Sequence, residues 1–282
     1  MSVSTQATSD ATSHATSHVT PDAMPPARAT LVVNKTCLPH TLDAGLGARL
    51  RIGLIELATE QTSEHEFRRL LQLPGVDFYV SRIWNDATIT PDTLAEMARH
   101  VEAAARVILP DLRLDVMGFT CTSGAMVIGE DKVFRLMRAV RPGLACTSPI
   151  TAAMAGMAVL GLTRIAQLTP YVQSINDMMR NHIEARGVAV PVMGSFNNGN
   201  DDEVARITLE STRAAAIDLG QSQHVDGIFV SCTSIRTIDI IREVEEAIGK
   251  PMLASNPAQA WHLLRLGNVA DRLPQWGRLF AM

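Results

Sequence analysis

A chain of 282 residues, 46% of them hydrophobic, can bury a sizeable core and could hold one large α/β domain or two small ones. Its formal net charge of −4 gives no basic footprint for nucleic acid or for an anionic membrane face, so a small molecule is the expected partner. Four cysteines (Cys37, Cys121, Cys146 and Cys232), none in a CxxC spacing, do not make a disulfide framework, and free thiols are expected.

In chain order, residues 1 to about 30 are rich in Ser, Thr and Ala, with a near-repeat in Ala11-Thr-Ser-His14 and Ala15-Thr-Ser-His18. They carry too little apolar area to order themselves, and a disordered or loosely ordered tail is expected over residues 1–48, with Cys37 incidental to it. His14 and His18 have no further ligands beside them, so no metal site is expected. The N-terminus lacks the basic and apolar regions of a secretory signal. No apolar run reaches the roughly 18 residues of a membrane span. The longest, Ala152 to Leu162, reads as a core helix, and a cytoplasmic protein is the expectation.

From Arg51 the pattern alternates strand and helix. Arg51 to Leu57 reads as a buried strand, and Thr62-Ser-Glu-His-Glu66 opens a helix with hydroxyl and acidic residues, as capping requires. Val76 to Ile83 is the second strand. Thr90-Pro91-Asp92 begins a long helix to about Val107. Leu114 to Thr120 is a strand that ends at Cys121, a helix follows to about Ala139, and Leu144 to Thr147 is a short fourth strand.

The arrangement then recurs. Arg164-Ile-Ala-Gln-Leu-Thr169 resembles Arg51-Ile-Gly-Leu-Ile-Glu56, and the distances from each arginine to the next strand-end cysteine are 70 (51 to 121) and 68 (164 to 232) positions. The spacing predicts an α/β fold of two pseudo-symmetric lobes, each a short parallel sheet flanked by helices, with the active site in the cleft between them. The lobes are expected at 49–148 and 149–257, with 258–282 packing back on the first. The apolar spacing around Trp261 and His262 is that of a packed helix.

Val116-Met-Gly-Phe-Thr-Cys121-Thr-Ser-Gly-Ala125 and Ile228-Phe-Val-Ser-Cys232-Thr-Ser-Ile235 each place a thiol where a strand hands over to what reads as a helix. Strand ends are where α/β proteins keep their chemistry. Unpaired N–H groups at such a turn favour an anion and lower a thiol pKa. Two opposed thiols suit proton transfer at a carbon beside a carboxylate, one as base and one as acid, without a cofactor. Thr122, Ser123, Thr233 and Ser234 are placed to donate to the enediolate that forms. Cys146 lacks this context and reads as packing.

The motifs Phe119-Thr-Cys121-Thr-Ser-Gly124, Leu168-Thr-Pro-Tyr171, Ser231-Cys232-Thr233 and Ser255-Asn-Pro-Ala-Gln-Ala-Trp261 resemble the aspartate/glutamate racemase superfamily. Within it they resemble the branch of maleate cis-trans isomerases and arylmalonate decarboxylases, over residues 50 to 282, and Trp276-Gly-Arg-Leu-Phe280 looks like the decarboxylase ending. The resemblance implies that Cys121 is nucleophile or base, that Cys232 is the opposed acid/base, that Tyr171 contacts a substrate carboxylate, and that the chain forms a homo-oligomer, a dimer or tetramer. In arylmalonate decarboxylases the first cysteine position is a glycine. This chain keeps both thiols, which favours isomerisation over decarboxylation.

It departs from the maleate isomerases at two clamps. Where they carry Ser-Ser-Asn-Thr-Thr after the first strand, this chain reads Ala58-Thr-Glu60-Gln-Thr62, and where they place a second asparagine it has Asp201. Two carboxylates there repel a second substrate carboxylate and attract an ammonium. Together with Thr59-Glu60-Gln61-Thr62-Ser63-Glu64, Val127-Ile-Gly-Glu130 and Cys232-Thr-Ser-Ile-Arg236, the chain looks most like the ectoine-utilisation protein A group, which is associated with breakdown of ectoine and hydroxyectoine to diamino acids. The expectation is a cofactor-independent racemase or epimerase of an amino or diamino acid bearing a carboxylate, with Arg82 and Arg236 as candidate carboxylate binders. The rivals are maleate-type isomerisation, arylmalonate-type decarboxylation, a binding module without turnover, and a redox sensor that closes a Cys121–Cys232 disulfide.

Overall fold

The computed structural model of the chain describes residues 31–282, so the expected tail up to residue 30, with His14 and His18, lies outside the described residues. Residues 31–43 group apart from 44–282, carry no regular element and are exposed, Cys37 included.

Strand β1 (Leu50–Leu57) is buried at nearly every position, as a strand covered on both faces must be. Helix α1 (Ser63–Leu70) returns the chain to β2 (Val76–Ile83), which pairs parallel with β1 from Leu50↔Val76 to Leu57↔Ile83. Helices α2 (Pro91–Glu96) and α3 (Ala98–Val107) lead to β3 (Val116–Phe119). Helices α4 (Thr122–Ile128) and α5 (Glu130–Val140) then lead to β4 (Ala145–Thr147), completing a parallel sheet of order β2-β1-β3-β4. After α6 (Pro149–Leu160) the plan repeats with β5 (Arg164–Thr169), α7 (Gln173–Glu184), β6 (Ala189–Ser195), α8 (Asp201–Val204), α9 (Leu209–Gly220), β7 (Gly227–Val230), α10 (Ile241–Ile248) and β8 (Met252–Ala254). The second sheet has the matching order β6-β5-β7-β8. The expected α/β fold of two pseudo-symmetric lobes is what the chain adopts.

Two expected helices are broken. The Thr90–Val107 stretch divides at Met97, whose buried side chain reaches over the first thiol turn, where its Cε leaves no room for a Cβ at Gly124. The Thr122–Ala139 stretch divides at Gly129, whose φ of 92° only glycine takes without strain.

The halves are tied by polar contacts as well as packing. Glu130 at the head of α5 accepts from Thr151 Oγ1 on α6 and from Arg186 Nη2 beyond α7 (2.7 Å), with His182 Nε2 at 3.1 Å. Arg69 of α1 makes a two-pronged pair with Asp239 (2.7 and 3.0 Å). Helix α11 (Ser255–Leu266) packs on α6 and reaches back to α1, β3 and β4 of the first sheet. Trp261 is buried in it, as its spacing predicts. Among the described residues no helix is long and apolar enough to cross a membrane.

One core position stands out electrically. Glu56, on β1 opposite Arg82 in register, is 0% exposed, neither of its carboxyl oxygens has a hydrogen-bond partner, and Arg82 Nη2 stays 3.6 Å away. Burial, with help from the neighbouring Glu60 and Glu64 charges, pushes its carboxyl up to about 8. The folded protein therefore keeps a proton that the unfolded chain loses above about 4.5. This contribution makes stability fall as pH rises from about 4.5 to about 8. Glu56→Gln, which mimics the protonated form, should raise the melting temperature at pH 8.5 by an amount equivalent to roughly 1–4 kcal/mol and leave it unchanged near pH 4.5. Melting curves of both proteins across that range check it; a difference independent of pH would count against a buried, proton-holding Glu56.

Candidate active site

The C-terminal ends of strands from both sheets open onto one cavity. From the first half come Leu57, at the end of β1, and the thiol turn after β3. From the second come Tyr171, after β5, and the thiol turn after β7.

Cys121 is the N-cap of α4, with extended backbone, and its Sγ accepts the Gly124 N–H at 3.3 Å. It is 4% exposed, with Ser123 Oγ at 3.9 Å. Cys232 is 6% exposed, but the sequence echo with Cys121 is only partial, because a turn follows it and the next helix, α10, begins at Ile241. Its φ is 138°, a left-handed value that a residue with a Cβ adopts only under constraint from its surroundings. Both thiols are free.

The expectation that helix N–H groups depress the thiol pKa is overturned. Burial pushes Cys121 up to about 12; the Gly124 N–H pulls it down by less, and the charge of Asp201 adds to the rise. Cys232 is raised further, first by burial and then by Asp201. Tyr171 is 1% exposed and lines the same cavity, and its phenol is held well above its usual range, first by burial. At neutral pH the resting site therefore holds two neutral thiols, with a neutral phenol in the same cavity.

Asp201, the first residue of α8, is the charge inside the cavity. Its carboxylate accepts from Ser234 Oγ at 2.8 Å and from Thr59 Oγ1, and its N–H donates to Ala87 O at 2.9 Å. That last bond, Ile89 N–H to Gly199 O (2.9 Å) and the Thr88↔Asn200 bridge fasten the segment after β2 across to the second half. The segment supplies a wall of Ile89, Leu94 and Met97, with Asn85 beside them and Asp86 at the exposed edge. The space left inside is about 20 Å³, room for one water. Among the described residues no Lys, Arg or His lines it.

Of the residues picked from sequence, Cys121, Ser123, Tyr171, Asp201, Cys232 and Thr233 line this cavity together. Thr122, Ser234 and Glu60 are buried just behind it. Thr122 Oγ1 meets Ser255 Oγ at 2.8 Å. Glu60 Oε1 accepts the N–H groups of Gln61, Thr62 and Ser63 (3.0, 2.8 and 3.0 Å), so Glu60 caps α1 in place of Thr62, and its Oε2 lies 3.4 Å from Ser234 Oγ. Burial, then the Asp201 charge, raise its pKa.

The two arginines are not brought to the cavity. Arg82 pairs with Glu64 (2.6 Å) and donates to the carbonyls of Leu57 and Glu60 (3.0 and 2.8 Å), securing the end of β1. Arg236 donates to Ile207 O at 2.8 Å. A guanidinium near strand-end carbonyls finds acceptors there that sequence spacing does not reveal. Asn85, Asp86 and the apolar wall went unpredicted, although their position just past a strand end was the available signal.

Residues 74–280 match the family model for arylmalonate decarboxylase. The chain belongs to the arylmalonate decarboxylase family. Within reach of that family, the maleate isomerase of Nocardia farcinica is 28% identical over 239 residues, 81% of this chain and 94% of that protein. The arylmalonate decarboxylase of Bordetella bronchiseptica is 32% identical over 142 residues, 49% of this chain and 58% of that protein. Among solved structures, a Cys→Ser mutant of Nocardia farcinica maleate cis-trans isomerase with a covalently bound succinylcysteine intermediate matches with a TM-score of 0.76 at 26% identity, covering 82% of this chain and 98% of that one.

Because Asp201 raises both thiols, Asp201→Asn should lower both pKa values and speed alkylation of Cys121 and Cys232 by iodoacetamide several-fold at pH 8.5. Peptide mass spectrometry of partly alkylated protein measures each thiol; unchanged rates at both would remove Asp201 from the electrostatics of the site.

Proposed function

We propose that this chain is a cofactor-independent racemase or epimerase of a small amino or diamino acid, working through Cys121 and Cys232. The observation that carries the reading is the company Asp201 keeps: its buried carboxylate shares a cavity with both thiols, Asp86 adds a second carboxylate at the exposed edge, and among the described residues no cation lines that cavity. At an effective dielectric constant near 20, two unit charges 4 Å apart interact by about 4 kcal/mol, enough to separate an ammonium from a carboxylate at this position.

The same charge links binding to activation. An ammonium docked at Asp201 cancels the part of the rise that this carboxylate causes and so lowers the cost of forming a thiolate, with burial remaining the larger cause. That thiolate takes the Cα proton, and the electron pair left on carbon delocalises into the carboxylate as an enediolate. The opposite thiol then gives its proton to the other face, leaving the two cysteines with their protonation states exchanged. Ser123, Thr233 and Tyr171 line the cavity as hydroxyl donors for the substrate carboxylate. A diamino acid, such as the ring-opened products of ectoine breakdown that the motif resemblance suggests, would carry its distal ammonium toward Asp86 at the exposed edge.

Maleate cis-trans isomerisation is the second reading, favoured by the Nocardia farcinica relative, which spans most of this chain. There Cys121 would add to the double bond, the carbon–carbon bond would rotate, and the thiolate would leave.

Proton NMR in D₂O with aspartate, 3-hydroxyaspartate, 2,4-diaminobutyrate, its 3-hydroxy derivative and maleate separates the two. Loss of an amino acid's Cα–H signal, abolished in both Cys121→Ser and Cys232→Ser, is the expected result. Asp201→Asn should weaken that exchange at least tenfold. Conversion of maleate to fumarate with every amino acid untouched would overturn the racemase and leave the isomerase.

A further inference from the structure

The strained turn at Cys232 is gripped by residues distant in sequence, from the start of α11 and from the α1 region of the first half. Ser255 Oγ, at the start of α11, accepts the Cys232 N–H at 3.0 Å and meets Thr122 Oγ1 of the other thiol turn at 2.8 Å. Asn256 Nδ2 donates to Thr233 O (2.8 Å) and to Glu66 Oε2 (2.8 Å). Glu66, on α1, also accepts the N–H groups of Thr237 (2.6 Å) and Ile238 (3.0 Å) through Oε1. Thr62 Oγ1 donates to Ser234 O at 2.9 Å. Ser255, Asn256, Glu66 and Thr62 are all nearly or fully buried, and none of them lines the cavity.

We propose that Glu66 and Ser255 are positioning residues for Cys232: they fix the strained turn that aims its thiol into the cavity, and through Thr122 they tie its placement to that of Cys121. The inference rests on the two-thiol reading above for its consequence in turnover, but the geometry it describes can be measured without substrate. Every group that reaches Glu66 in this cluster is a donor: two backbone N–H groups, the Thr237 hydroxyl at 3.3 Å and the Asn256 amide. Only a carboxylate can accept from all of them. A glutamine at position 66 would set its own NH₂ against the Asn256 NH₂. Asn256 cannot turn over to relieve this, because its Nδ2 also serves Thr233 O. Ser255 has a counterpart in Ser148 of the first half, which caps α6 by accepting the Thr151 N–H at 3.3 Å. Ser255 makes no such cap on α11, and its hydroxyl is given to the two thiol turns instead.

The test uses the full chain and two separate variants, Glu66→Gln and Ser255→Ala, each compared with wild type by circular dichroism to show that it folds. Iodoacetamide alkylation read by peptide mass spectrometry gives the ratio of Cys232 to Cys121 reactivity. With the turn released, the buried Cys232 becomes easier to reach, so the ratio should rise at least fivefold in both variants, with the Cys121 rate within twofold in Glu66→Gln and raised by less than that of Cys232 in Ser255→Ala, which also frees Thr122 in the other thiol turn. With whichever substrate the NMR panel identifies, kcat should fall at least tenfold and KM should stay within threefold, since neither residue borders the substrate. A reactivity ratio unchanged or lowered in the folded variants overturns the proposal, whatever happens to turnover. A raised ratio in a protein whose wild type turns over nothing in the panel leaves the positioning intact and removes the two-thiol reaction instead.

Discussion

Cys232 sits at a φ of 138°, which costs about 1–3 kcal/mol for a residue with a side chain, and the surroundings must supply at least that much to hold it there. They do so with hydrogen bonds that run between elements distant in sequence, each contributing about 1 kcal/mol net, more where the partner is charged. The donors and acceptors come from α1 and from the start of α11, so the second thiol is correctly placed only when the first half and the C-terminal helix are already docked on the turn. Site assembly and lobe docking are thus one event. The buried carboxyl of Glu66 illustrates the cost: burial pushes it up to about 7, and the N–H groups of Thr237 and Ile238 and the Asn256 amide recover only part of the loss.

This explains which parts of the structure could be read from the sequence. The two-lobe plan was legible because strands covered on both faces, such as Leu50–Leu57, are mostly apolar, and because the spacing repeats between the halves; the edge strand Val76–Ile83 and Arg164–Thr169 fall where the pattern puts them. Cys121 and Cys232 were legible because strand ends converge at the cleft of such a fold. Local capping misled at Thr62, since a hydroxyl at an N-terminus competes with a carboxylate two residues earlier, and Glu60 takes all three N–H groups. Arg82 and Arg236 misled for a related reason. A long cationic side chain binds the nearest satisfying acceptors, which here are backbone carbonyls and, for Arg82, the Glu64 carboxylate. The helix that the echo predicts after Cys232 gives way to a turn because the segment to Ile238 is spoken for by contacts from another element, which no window of local sequence contains.

The electrostatics of the site are set by a contest that burial wins. Hydrogen bonds from N–H groups do pull the thiols toward ionisation, but a thiolate in a water-poor cavity beside Asp201 is worse off than a thiol. A free enzyme with neutral thiols is protected from alkylation and oxidation, since the thiolate is the reactive form. A cation paired with Asp201 would remove only that carboxylate's share of the rise, whereas a second carboxylate would push both thiols further up.

The same residue joins chemistry to access. The cavity holds one water's worth of space, so a substrate enters only if the segment from Asn85 to Met97 moves off the second half. The contacts that must part are Asp201 N–H to Ala87 O, Ile89 N–H to Gly199 O and the Thr88↔Asn200 bridge. Two of these flank Asp201 and the third is its own backbone, so closing the cavity sets the position of the carboxylate, and setting the carboxylate closes the cavity. The apolar wall of Ile89, Leu94 and Met97 arrives in the same movement and displaces water from around the Asp201 charge. A ligand that pairs with Asp201 gains from that loss of water, because its ion pair strengthens as the local dielectric falls, while a ligand that leaves Asp201 unpaired bears the full desolvation of a carboxylate. Discrimination between cationic and anionic ligands is therefore greatest where water is scarcest, in the same cavity that holds the two thiols.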